Sequence, residues 1–132
     1  MQDRVRVRGR WDLVETSNFK HQTSKIYIVD FKSSEVKDEK KAQEKARGNL
    51  QLSIYALAWL KMFGRLPDFV ELHFLETGLV GSTHHSEEDL KETWQKIRKV
   101  ADGIREADYH ATPSPVKCGY CPYNEICPSS AV

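Results

Sequence analysis

The chain has 132 residues, 39% of them apolar and 30% charged, with a net charge of +1. Such a chain suits one globular domain that buries roughly two thirds of its unfolded surface, and its near-neutral balance announces no overall field for nucleic acid, although local patches matter more than totals. No apolar run approaches the roughly 20 residues that cross a bilayer, and the polar start "MQDRVRVRGR" is no signal peptide, so a cytoplasmic protein with no membrane partner is expected.

"DRVRVRG" alternates Val5 and Val7 with Arg4, Arg6 and Arg8 and predicts a half-exposed strand. The arginines suit a phosphate backbone or a cationic strand edge that discourages aggregation. After Gly9, "RWDLVETS" predicts a second strand, "NFKHQTS" a polar turn and "KIYIVDFK" a third strand. Short connections between the three favour an antiparallel meander. "SSEVKDEKKAQEKARGNLQLSIYALAWLKMFGR" starts charged, with Glu35 to Arg47 as a solvated face ahead of a DNA-contact loop as the second reading, and becomes one long helix. From Leu50 to Phe63 that helix is apolar nearly all round, until Gly64 and Pro67 end it.

"DFVELHFLET" predicts a strand with Val70, Leu72 and Phe74 inward, and "GLVGSTHH" a short strand or hairpin. Ser86 caps a helix whose Leu90, Trp94, Ile97, Ala101 and Ile104 form one apolar stripe to about Asp108. Trp11, Trp59 and Trp94 fit core or interface packing. A linker, "YHATPSPVK", leads into "CGYCPYNEICPSSAV", a small knot with little regular structure. The fold class expected is α+β: a mixed central sheet, antiparallel meander plus a strand after a crossover helix, flanked by helices. Residues 1–108 form the core, and residues 109–132 the linker and cysteine motif.

Chemistry concentrates at the end of the third strand. Alternate residues of a strand share a face, so Asp30 and Lys32 in "IVDFK" stand together. A hard divalent cation is held by one or two carboxylates plus water and phosphate oxygens, and it lowers the pKa of an attacking water. A fixed cationic donor beside it stabilises the transition state. Asp30 supplies a ligand and Lys32 the donor. Asp12, one strand upstream in "GRWDLVE", lies across from Asp30 if those strands pair. An exposed ion pair at a strand end is the plain alternative for Asp30 and Lys32. Gln51 and Tyr55, four apart, share one face of the long helix. Gln51 there needs a partner, which the backbone or a site beside the metal or DNA can supply.

Cys118, Cys121 and Cys127 are the only cysteines. Three cannot close a disulfide set within one chain, and their clustering favours a metal over a bridge. A zinc site would draw its fourth ligand from His84, His85 or His110. Three reduced thiols without metal are the remaining reading.

"GRWDLVE", "IYIVDFKSS", "NLQLSIYALA" and "CGYCPYNEIC", in that order, resemble the RecB-like branch of the PD-(D/E)xK nucleases over residues 3 to 128. The resemblance implies a restriction-endonuclease-like core, with Mg²⁺ or Mn²⁺ held by Asp12, Asp30 and the Phe31 backbone carbonyl. It makes Lys32 the catalytic lysine and Gln51 and Tyr55 further site residues, in a DNA exonuclease or end-processing enzyme fused to or partnered by a helicase. Cys118, Cys121 and Cys127 would be three of four iron–sulfur ligands. The family's upstream helix and first cysteine have no counterpart here. A fragment of a longer parent is therefore expected, with the cluster in the parent, none in this piece, and activity impaired. A DNA-binding module of the same fold without cleavage is the competing expectation. A metal-stabilised protein-interaction domain would explain the cysteines but not "VDFK".

Overall fold

A computed structural model describes residues 5–17 and 24–132. Its elements in chain order are β1 (Leu13–Ser17), β2 (Lys25–Lys32), α1 (Glu39–Arg47), α2 (Leu50–Phe63), β3 (Phe69–Phe74), β4 (Val80–Thr83), α3 (Glu87–Arg105) and α4 (Pro115–Gly119). The strands form one sheet in the order β1-β2-β3-β4. β1 runs antiparallel to β2, β2 parallel to β3, and β3 antiparallel to β4. A parallel pair needs a crossover connection, and α1 with α2 provides it between β2 and β3. The fold class is the one expected, a mixed α+β arrangement with a four-strand mixed sheet flanked by helices.

The sheet register decides which side chains meet. Ile28 stands opposite Val14 on one side and Val70 on the other, and Asp30 stands opposite Leu72. Ile26, Ile28, Asp30 and Lys32 therefore share a face with Val70, Leu72 and Phe74. Leu52, Tyr55 and Ala56 of α2 and Ala42 and Ala46 of α1 close over that face, and with Leu90 of α3 they build the core. Each large apolar side chain fully buried there stabilises the fold by roughly 1.5–3 kcal/mol. Asp30 is 3% exposed, a charge at the end of this apolar layer.

Four sequence expectations change. Residues 5–12 form no strand, and β1 starts only at Leu13. Val5 and Val7 instead line a cleft that Leu57 and Ile97 of the helices also line. Alternation marks an extended segment with two different sides; it does not say whether the apolar side meets a sheet or a helix. The expected single helix is two. Gly48 ends α1, and Asn49 turns extended and accepts the Leu52 N–H at 3.0 Å, starting α2 afresh. The charged run is only partly a solvated face, because Ala42 and Ala46 are fully buried. α3 stops at Arg105 rather than Asp108, with Ala107 left-handed at φ 54° and the Asp108 N–H returning to the Gly103 carbonyl. Residues 18–23 of the expected turn "NFKHQTS" lie outside the described residues, as do Arg4 and the start of the first expected strand.

Contacts divide the chain into two units, Met1–Arg98 and Lys99–Val132. The second contains the end of α3, the short α4 capped by Ser114, and a succession of tight turns around the cysteines. No helix among the described residues is long and apolar enough to cross a membrane.

Candidate active site

Four of the residues singled out from the sequence meet at the end of β2. Asp30 Oδ2 is 2.7 Å from Lys32 Nζ, and their side chains are 4% and 30% exposed. Lys32 Nζ also donates to Gln51 Oε1 at 2.8 Å. Gln51 Nε2 in turn donates to the Tyr55 hydroxyl at 2.9 Å. That hydroxyl lies 2.8 Å from the Arg10 carbonyl and 3.4 Å from Asp30 Oδ1. A hydroxyl has one proton, and the shorter distance assigns it to Arg10. One unbroken series of contacts thus links the strand, the crossover helix and the segment before β1.

Local structure makes this possible. The i,i+4 spacing stacks Gln51 over Tyr55 on the α2 face turned to the sheet, and the Asn49 cap sets where that helix begins. Burial pushes the Tyr55 hydroxyl above its ordinary range; the Gln51 hydrogen bond opposes the shift, and the charges of Asp30 and Asp12 reinforce it. Tyr55 therefore stays protonated and neutral through the physiological range.

Asp12 arrives from the other side. The β1–β2 register pairs Leu13 with Val29, so one further step sets Asp12 opposite Asp30. Its Oδ2 accepts the Phe31 N–H at 2.9 Å. β1 has no residue opposite Phe31, and the exposed Asp12 side chain takes the place of a ladder partner. Asp12 is thus on the sheet face of Asp30 and beside it, while the Phe31 ring is on the other face, edge-on to His73. The Arg10 carbonyl is the participant that sequence reasoning missed. A main-chain acceptor leaves no trace in residue type.

Elsewhere the expected ligands stay apart. Among the described residues no group of three His, Cys, Asp or Glu side chains is placed to hold a metal ion. Cys118, Cys121 and Cys127 are free thiols, each half-buried. Amide hydrogen bonds from Ala131 and Ser114 hold the Cys118 thiol below its usual range. His73 pairs with Glu71 at 2.7 Å, and His110 with Asp108. His84 is exposed, and its neighbour His85 is half-buried.

A family model of the PD-(D/E)XK nuclease superfamily matches residues 1–128. The chain belongs to that superfamily. No curated protein matches it. PD-(D/E)XK proteins are typically nucleases that act on DNA, generally with a divalent ion such as Mg²⁺. The residues at the end of β2 fit such an ion. Among the described residues, buried Asp30 Oδ2 has no hydrogen-bond donor, although it pairs with the Lys32 ammonium at 2.7 Å. Asp12 and Asp30 offer oxygen only, the donor a hard cation prefers. Two carboxylates leave positions for water and phosphate oxygen, as Mg²⁺ requires.

Proposed function

We propose that the chain is the nuclease domain of a Mg²⁺- or Mn²⁺-dependent deoxyribonuclease that works on DNA ends as an exonuclease or end-processing enzyme. The observation that carries this reading is the meeting of Asp12, Asp30, Lys32, Gln51 and Tyr55 at one strand end. In this reading Asp12, Asp30 and the Phe31 carbonyl hold the metal. When bound, the metal activates water and offsets charge on the phosphate.

The remaining roles belong to side chains. Gln51 Oε1 gives the Lys32 ammonium a second partner at 2.8 Å, so Lys32 can leave Asp30 and keep its hydrogen bond to Gln51. Released, it lies between Asp30 and Gln51, placed to orient the attacking water or to stabilise charge on the phosphate. Tyr55 fixes Gln51 and, through the Arg10 carbonyl, the segment leading to Asp12. Residues 1–108 supply the nuclease core and 109–132 the cysteine motif. Resemblance to the RecB-like branch supports a longer cytoplasmic parent with a helicase partner or fused helicase domain, in which Cys118, Cys121 and Cys127 join a fourth cysteine at an iron–sulfur cluster.

The test is cleavage of end-labelled linear DNA with Mg²⁺ and with Mn²⁺, by the wild-type chain and by Asp30→Asn. Metal-dependent shortening of the label that Asp30→Asn abolishes supports the assignment. Binding to DNA with no cleavage in either metal supports the non-cleaving module instead.

A further inference from the structure

Beside the catalytic cluster lies a cleft of about 880 Å³, between residues 5–11 and helices α2 and α3. Its walls are Trp11, Tyr55, Met62 and Trp94, with Arg8, Arg10 and Lys61 among them. Among the described residues, none that lines it is acidic. Lys61 Nζ sits 4.8 Å over the Trp94 ring, and Met62 is 66% exposed at the mouth. Tyr55 belongs to both places: its ring walls the cleft and its hydroxyl stands 3.4 Å from Asp30.

Flat apolar walls interleaved with cations match unstacked nucleobases and the phosphates between them. Within a duplex, bases are stacked and paired and cannot offer a face to such walls. We propose that the cleft is a base-binding subsite: it receives unstacked bases of the DNA strand whose neighbouring phosphate lies at Asp30 and Lys32. Arg8, Arg10 and Lys61 neutralise the phosphates flanking those bases. The inference rests on the nuclease reading, because Tyr55, shared by the cleft and the Asp30 cluster, is what joins the two places.

Binding is measured in EDTA, so that it does not depend on cleavage. The full chain is irradiated with a single-stranded oligonucleotide carrying 5-iodouracil, and the adduct is mapped by mass spectrometry. Adducts on Trp11, Met62 or Trp94 are expected. Met62→Glu, which puts an anion among the cations at an exposed position, should weaken binding about tenfold, whereas Met62→Leu should retain it. Circular dichroism checks that both variants fold.

Adducts mapping elsewhere, or Met62→Glu binding like wild type, would overturn the proposal even if the chain cleaves DNA. A chain that self-associates through this face, with Met62→Glu abolishing association and sparing oligonucleotide binding, would overturn it as well. Adducts in the cleft with no cleavage in Mg²⁺ or Mn²⁺ would leave the subsite standing and remove the catalytic reading.

Discussion

Lys32 touches two partners at once, the buried Asp30 carboxylate and the Gln51 amide oxygen. If Asp30 is a metal ligand and Lys32 acts on water or phosphate, the two substitutions separate. Lys32→Ala should retain Mg²⁺ binding by calorimetry and lose about 10²–10³-fold in rate. Asp30→Ala should lose both. Equal loss of Mg²⁺ by the two variants would remove the division of roles. A second residue makes the fold itself sensitive to acid. Burial lowers the His85 pKa below 6.5; Asp89 opposes that shift and His84 adds to it. Among the described residues buried His85 Nδ1 has no hydrogen-bond partner, and it lies in a polar cleft that also holds Arg47, Glu92 and Lys96. The unfolded chain then binds more protons than the folded one, so this contribution is complete above pH 6.5 and is lost as pH falls below it. Urea midpoints should drop between pH 7.5 and pH 5.5, and His85→Phe should flatten that slope.

Among the elements, α1 packs directly against β4 at Gly81. A Cβ built on Gly81 would stand 2.1 Å from the Ala42 carbonyl oxygen and 2.9 Å from Ala46 Cβ. The obstruction is backbone, which cannot turn aside as a side chain would. Gly81→Ala should therefore force α1 off the sheet and cost about 1–3 kcal/mol or more, read as a lower urea midpoint. This contact was not legible in the sequence. Ala42 and Ala46 sit in a run of lysines and glutamates, and two small residues four apart leave a weak apolar signal. β2 and β3 were legible, because a buried strand concentrates its apolar residues and keeps period two. The break between α1 and α2 was carried by Gly48 and Asn49, but the apolar content of the next turns outweighed that local signal. At the site, D-x-K and Q-x-x-x-Y showed in the sequence which side chains share a face. That they face each other depends on the crossover, a contact between residues 19 apart.

For the molecule as a whole, the first unit builds its core without any cysteine. Its folding should be indifferent to iron. A four-iron cluster takes four thiolates, and this chain contains three cysteines. The purified chain should be colourless, with elemental analysis well below four irons per molecule and an unchanged urea midpoint after chelation. Visible absorbance with a full complement of iron would show that another ligand completes the set.

β2 is the interior strand that carries Asp30, and amides within a sheet exchange slowly with solvent. The Phe31 N–H is secured differently, by the exposed Asp12 carboxylate. It therefore serves as a built-in spectroscopic probe. In ¹⁵N-labelled protein, Mg²⁺ should displace the Phe31 amide resonance ahead of those of Ile28 and Val29. In Asp12→Ala that amide should exchange rapidly while its neighbours stay protected, so one backbone proton reports on the cation before any DNA is added.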